Sequence, residues 1–254
     1  SDMSMLELTP DFIKEFAAYL STEAGLRNGS IWANCMWLKG VVMKAHYNGL
    51  IPRNPFIQFH ISPNVKEREY LTEDELKAVM THEFADSKLA YIRDIFIFAS
   101  FTALSFVDIQ ELTNDNIVEV NGEKWILSKR HKTKVAFQVK LLDIPLQIVE
   151  RYRPMQKDNR IFPGLNYWSI CKPLKRMIRE CGITKSISFH CSRHGFATLA
   201  LSKGMPIESV SRVLGHTNIV TTQLYAKITT QKLDNDLTMF GDKLSKTFNG
   251  ITMS

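Results

Sequence analysis

The sequence predicts a mainly α-helical protein with one small antiparallel β-sheet, built as an N-terminal helical domain followed by an α+β domain. Three observations lead there. Apolar residues recur at steps of three and four along much of the chain, the spacing that lines one face of a helix. That period gives way to strand-like runs only between 117 and 141. A charged stretch containing Pro63, over 63–70, separates the two parts.

In chain order, Thr9 reads as a helix N-cap, with Pro10 at the first helical position and Asp11 in the first turn. Ile31, Cys35, Leu38, Val42 and Ala45 make the buried stripe of a second helix, which Asn48-Gly49 stops. The expected divisions are a helical domain over 1–62, a linker over 63–70 and a second domain over 71–254. The second domain opens on Thr72 and Glu75, which have capping-box spacing, and stays helical to about Gln110. Ile117, Val118 and Val120 then precede Asn121-Gly122, and Trp125, Ile126 and Leu127 follow it. Asn-Gly between two apolar runs is the strongest short hairpin signal. Val135, Phe137, Val139 and Leu141 alternate as a third strand, so Arg130-His131-Lys132-Thr133-Lys134 should form an exposed turn at one end of the sheet. From Asp143 onward the pattern is helical again.

A hydrophobic fraction of 44% and a charged fraction of 23% suit a folded domain, and 254 residues can build a core without disulfides. The four cysteines form no CxxC pair and read as reduced thiols of a cytosolic protein. No apolar run approaches the ~20 residues that span a bilayer, so no membrane partner is expected. The net charge is +6, yet residues 1–62 hold five Lys/Arg and five Asp/Glu. The surplus therefore falls in the second part, which should carry the stronger anion site.

Three short pieces near the C-terminus bring chemistry together. In His190-Cys191-Ser192-Arg193-His194, His190 and Arg193 share a helix face, with Ser188 as a possible cap and Phe196, Leu199 and Ala200 on the opposite side. In Val213-Leu214-Gly215-His216, Pro206 starts a helix, Gly215 can end it in a left-handed conformation, and His216 stands just beyond. In Thr221-Thr222-Gln223-Leu224-Tyr225, the tyrosine lies nine residues after His216. Singly, each reads equally as a surface, capping or core residue. Together they offer several donors for a phosphate and a hydroxyl nucleophile.

These residues resemble the tyrosine recombinase (phage integrase) family, whose pattern is H-x-x-R-H, then L-G-H, then a tyrosine nine residues on. Leu71-Thr72-Glu73-Asp74-Glu75-Leu76 is similar to the family's entrance to its catalytic domain, Arg130-His131-Lys132-Thr133 to the hairpin bearing its catalytic lysine, and segment 8–60 to its core-site DNA-binding domain. The departure is Ser105, in Thr102-Ala103-Leu104-Ser105-Phe106-Val107-Asp108, where the family usually has arginine; some integrases of mobile elements resemble this chain there. Losing one charged donor to a transition state typically costs about 3 kcal/mol. Arg130, close to Lys132 in sequence, could supply the missing guanidinium or could instead contact a backbone phosphate.

The resemblance implies a site-specific recombinase that cleaves and rejoins DNA through a covalent 3′-phosphotyrosine. Tyr225 would be the nucleophile, Arg193 and His216 would hold the phosphate, His190 would accept the tyrosine proton or bind the phosphate, and Lys132 would protonate the leaving 5′ oxygen. Asp108 would orient its neighbours. No cofactor or metal is called for, because the covalent link conserves the bond energy and the side chains supply positive charge. Lys129, Lys134, Lys172, Lys175, Arg176 and Arg179 in the second domain, and Arg27, Lys39 and Lys44 in the first, are the DNA-contact candidates. The partners expected are double-stranded DNA and further copies of the chain, in a homotetramer with exchange of C-terminal tails. The place the resemblance implies is the bacterial cytoplasm, at the nucleoid. In that tail Leu233, Leu237, Phe240 and Leu244 form an apolar stripe for its own domain or a neighbour's. The competing readings are a catalytically silent DNA-binding relative and a type IB-like topoisomerase.

Overall fold

The computed structural model describes residues 3–62, 69–156, 158–226 and 230–247. The chain forms two compact units, residues 1–67 and 68–254. Of the expected linker, residues 63–68 lie outside the described ones.

The first unit pairs α1 (Pro10–Thr22) with α2 (Asn28–Tyr47). Thr9 Oγ1 accepts the Phe12 N–H at 3.1 Å and Pro10 occupies the first turn, as the cap signal predicts. Ile13 of α1 meets Val42 and Ala45 of α2, and Ile51 and Phe56 from the following turn close that cluster. Leu20, Ile31 and Cys35 form a second one.

The second unit is organised around one buried helix. It opens with α3 (Glu73–Thr81), whose capping box is complete: Thr72 Oγ1 accepts the Glu75 N–H at 3.2 Å and Glu75 Oε2 accepts the Thr72 N–H at 2.7 Å. Next comes α4 (Ser87–Thr102), whose Ile92, Ile95, Phe96, Ile97, Phe98 and Ala99 are all buried. A helix apolar on every side must be covered on every side. Accordingly α3, α6 (Asp143–Tyr152), α7 (Tyr167–Glu180) and α8 (Cys191–Ser202) all pack on α4. A short α5 (Phe106–Gln110) follows α4 after Ala103, which adopts the left-handed conformation at φ 55°.

The sheet is β1 (Ile117–Val120), β2 (Glu123–Lys129) and β3 (Ala136–Lys140), antiparallel in that order. Val120 pairs with Glu123 across Asn121-Gly122, both at positive φ, the geometry this dipeptide favours in hairpins. Lys129 pairs with Ala136, so 130–135 form the second turn. The chain ends with α9 (Ile207–Leu214), α10 (Val220–Gln223) and α11 (Thr230–Thr247).

The structure corrects three local expectations. Arg130 is not exposed with the rest of its turn; it is 5% exposed, because its side chain turns inward to a carboxylate, a carbonyl and an aromatic face. Ser188 does not cap α8: His190 is the N-cap residue, and the Ser188 hydroxyl contacts Cys191 Sγ at 3.3 Å. The buried side of α8 is Cys191, Ser192, Arg193, His194, Ala197 and Leu201, whereas Phe196, Leu199 and Ala200 are half-buried. The polar motif faces inward because it meets backbone carbonyls there. Among the described residues, no helix is long and apolar enough to cross a membrane.

Candidate active site

The site is assembled at the C-terminal end of α9. Gly215 ends that helix in the left-handed conformation, φ 63°, and places His216 directly after it. The turn leaves carbonyls without helical partners, and two arginines from distant segments take them. Arg130 Nη2 donates to the Val213 carbonyl at 2.5 Å, and Arg193 Nη2 donates to the Leu214 carbonyl. Arg193 Nη1 reaches the carbonyl of Ala103 at 2.9 Å, at the end of α4. Two guanidinia thus stand on consecutive peptide groups of one helix end, where the helix dipole is negative.

Asp108 anchors the other side of Arg130. Its Oδ2 accepts from Arg130 Nη1 at 2.7 Å and from the Ser105 hydroxyl at 2.8 Å, and its Oδ1 accepts from the His131 N–H at 3.0 Å. Burial alone would raise this carboxyl; the His131 N–H, the Arg130 guanidinium and the Ser105 hydroxyl together hold it below its ordinary value. Ser105 is the N-cap of α5, a position that favours serine. The Arg130 guanidinium also lies 4.0 Å from the Phe137 ring centroid, a cation–π contact. Its Nε is buried with no acceptor among the described residues and faces Gly215, where a Cβ would come within 2.9 Å of it. Gly215 is therefore needed twice, for its backbone angle and for the room it leaves.

The crowding of these groups shifts their proton affinities. Arg193 is pushed down to about 10, first by burial and then by the charge of Arg130, with Tyr225 and Asp108 opposing. His216 is pushed down to about 4 by burial, by Arg193 and Arg130, and by His190. It is neutral near pH 7. Its Nδ1 lies 2.9 Å from the hydroxyl of Thr222, a residue with no exposed surface. Tyr225 is half-buried against the Ala103, Ala197, Leu201 and Leu214 cluster, with its ring 5.2 Å from His194; the His194 and His190 rings are 4.7 Å apart.

The structure thus gathers Arg130, Asp108, Arg193, His190, His216 and Tyr225 into one neighbourhood. Lys132 is exposed on the β2–β3 turn next to His131, whose backbone is tied to Asp108. Lys129 and Lys134 are exposed at the same end of the sheet, and Lys172, Lys175 and Arg179 on α7. Arg176 is exposed but ion-paired with Glu180 at 2.7 Å and Asp86 at 3.3 Å, so its charge is partly spent within the fold. Arg27, half-buried Lys39 and Lys44 stand in the other unit. Sequence reasoning missed Thr222 and the carbonyls of Ala103, Val213 and Leu214. Nothing in a one-dimensional pattern singles out a carbonyl, and Thr222 was visible only as part of the run leading to Tyr225.

Residues 69–232 match the Phage integrase family, and residues 1–61 match the Phage integrase SAM-like domain. Tyrosine recombinase XerA of Pyrococcus horikoshii is 32% identical over 177 residues, which cover 64% of this chain but only 58% of that protein. Tyrosine recombinase XerC of Lactobacillus leichmannii is 25% identical over 229 residues, covering 84% of this chain and 77% of that one. Among solved structures, the Tn1549 transposon integrase (residues 82–397) in complex with circular intermediate DNA shares the fold. It has a TM-score of 0.77 at 18% identity, over 92% of this chain and 86% of that one.

Proposed function

The chain belongs to the phage integrase family, the tyrosine-type site-specific recombinases, and from that premise we propose that it cuts and rejoins duplex DNA through a covalent 3′-phosphotyrosine on Tyr225. The observation that carries this reading is the pair of buried guanidinia on consecutive carbonyls of α9, with His216 and Tyr225 beside them. A phosphodiester under attack gains negative charge, and preorganised cations in a water-poor site are the strongest way to stabilise it.

The Tyr225 hydroxyl oxygen attacks phosphorus while its proton passes to His190. The bond from phosphorus to the 5′ oxygen breaks, and Lys132 protonates that oxygen. An incoming 5′ hydroxyl reverses the sequence and restores the diester, so no external energy source enters the balance. Arg193 donates to the non-bridging oxygens. His216, neutral, offers Nε2–H to the same phosphate when Thr222 donates its hydroxyl proton to Nδ1. Arg130 supplies the cation that Ser105 does not. Its burial argues against a role on a distant backbone phosphate.

The exposed lysines and arginines of the sheet end, α7 and α2 would track the phosphate backbone, with affinity falling steeply as salt rises. On α11, Leu233, Leu237, Phe240 and Leu244 are 39–60% exposed, which favours docking on a second copy over packing on their own domain. That arrangement supports a tetramer with tail exchange. Deleting residues from Leu233 onward should leave DNA binding and stop strand exchange. The working place would be the nucleoid of a bacterial cytoplasm. A silent binder is not favoured, since Tyr225, Arg193, His190, His216 and Lys132 are all in place in the chain.

The test is a plasmid carrying the DNA that flanks the gene, incubated with parent and Tyr225→Phe protein in EDTA. A detergent-resistant adduct with the parent alone is the expected result. DNA bound but never joined, on that plasmid and on integration ends alike, would overturn the proposal.

A further inference from the structure

The outer face of α7 carries a feature that cleavage chemistry does not use. Trp168 is 83% exposed, more than any other large hydrophobic residue described. Its backbone is not loose: the Trp168 N–H donates to Asn166 Oδ1 at 2.9 Å in the first turn of the helix. Steps of four, three and four lead from Trp168 to Lys172, Lys175 and Arg179, all exposed, while Ile170, Leu174, Met177 and Ile178 face the core. The helix thus presents one continuous stripe, aromatic at its start and cationic along its length.

Trp168 is also joined to the site. Its ring meets Tyr167 at 6.0 Å, Tyr167 meets Phe106 at 5.5 Å, and Phe106 meets Phe189 at 5.3 Å. Phe106 follows Ser105 and Phe189 precedes His190. Four aromatic rings therefore connect the tip of α7 to both edges of the phosphate-binding neighbourhood.

We propose that Trp168 reads base sequence next to the cleaved phosphate, by apolar contact of its indole with thymine methyl groups in the major groove, while Lys172, Lys175 and Arg179 hold the flanking backbone. The major groove admits a helix and exposes the thymine methyl there. Lysine and arginine on phosphates fix register without reading sequence, so the cationic stripe needs a reader and the exposed indole is the group placed to serve. The ring ladder ties that face of α7 to the segments that carry Ser105 and His190. The proposal rests on the recombinase reading above.

The full chain is used to select from a pool of short duplexes of random sequence, and the cleavage position in the enriched motif is mapped through the Tyr225 adduct. Parent protein should enrich a motif with A·T pairs beside the cut. Trp168→Ala should enrich the same motif with preference at one or two of those pairs weakened about tenfold, and Trp168→Phe should retain part of it. Lys172→Ala should instead weaken binding evenly across sequences and reduce the slope of log affinity against log salt by about 1. The exposed indole is not needed for folding, so circular dichroism of Trp168→Ala should match the parent. Trp168→Ala enriching the parent motif unchanged, or losing affinity evenly as Lys172→Ala does, overturns the proposal alone. A parent that enriches no motif overturns it together with the recombinase reading.

Discussion

Two buried aspartates in the second unit solve the same electrostatic problem to different ends. Asp94, 4% exposed, accepts from Arg93 Nε at 2.9 Å, Arg151 Nη1 at 2.7 Å and the Tyr152 hydroxyl at 2.8 Å, and so clamps α4 to α6. Asp108, 8% exposed, accepts from Ser105, Arg130 and the His131 N–H. Both carboxylates are satisfied, as burial demands. The difference lies in the cations. The Arg151 side chain is 55% exposed and can return to water; that of Arg130 is 6% exposed and cannot. The first aspartate draws in the end of a surface arginine to lock two helices. The second holds a committed positive charge beside Arg193, two like charges kept close by carbonyls and one carboxylate. A folding clamp can release its cation; a pair proposed to bind phosphate has to be in place before the phosphate arrives.

The contrast is broken most directly by removing each acid. Asp108→Ala leaves Arg130 buried without its counter-charge and should cost about 3–5 kcal/mol of stability. Asp94→Ala should cost less, about 1–3 kcal/mol, because Arg151 can rehydrate and Arg93 keeps the His82 carbonyl as a partner. Denaturant unfolding of both variants measures this, and equal losses would remove the distinction. Cleavage below the unfolding transition should fall only with Asp108→Ala.

Next in size are the cations themselves. Lys132→Ala should slow adduct formation by about 10²–10³ with no change in Tm, because Lys132 is exposed. Arg130→Ala should slow it similarly and also alter Tm, because Arg130 braces α5, β3 and α9. Arg130→Ala cleaving as fast as the parent would end the idea that it stands in for the arginine absent at Ser105.

Thr222 is a finer probe. Thr222→Val keeps the shape and removes the hydroxyl beside His216 Nδ1. Cleavage should fall about tenfold, the scale of losing one orienting hydrogen bond, while Thr222→Ser stays near the parent. Equal rates for Val and Ser would mean that Thr222 only packs.

A further test concerns acid. His216 is held near 4 in the fold against an ordinary 6.5. As pH falls below 6.5 the unfolded chain takes up a proton that the folded chain refuses until about 4, so stability is full above 6.5 and declines between those values. Chemical unfolding at stepped pH should show this decline in the parent and a shallower one in His216→Asn. Identical profiles would mean that neither burial nor the nearby cations hold the proton off His216.

The helices, the Asn121-Gly122 hairpin, the Thr72–Glu75 capping box and the spacing of His190, Arg193, His216 and Tyr225 are all written in the chain, because each depends on neighbours a few residues apart. Periodicity and capping are local, and a motif is a spacing. The burial of Arg130, the carbonyls of Val213 and Leu214 as its seat and that of Arg193, and the Thr222 contact with His216 emerged only from the folded arrangement. Arg130 and Val213 are separated by 83 residues, and Arg193 and Ala103 by 90. A carbonyl has the same covalent structure at every position and becomes a binding group only where a helix ends against a distant arginine. Local chemistry names the candidate side chains; packing α5, β2 and α9 together decides which cations are held in place and against what.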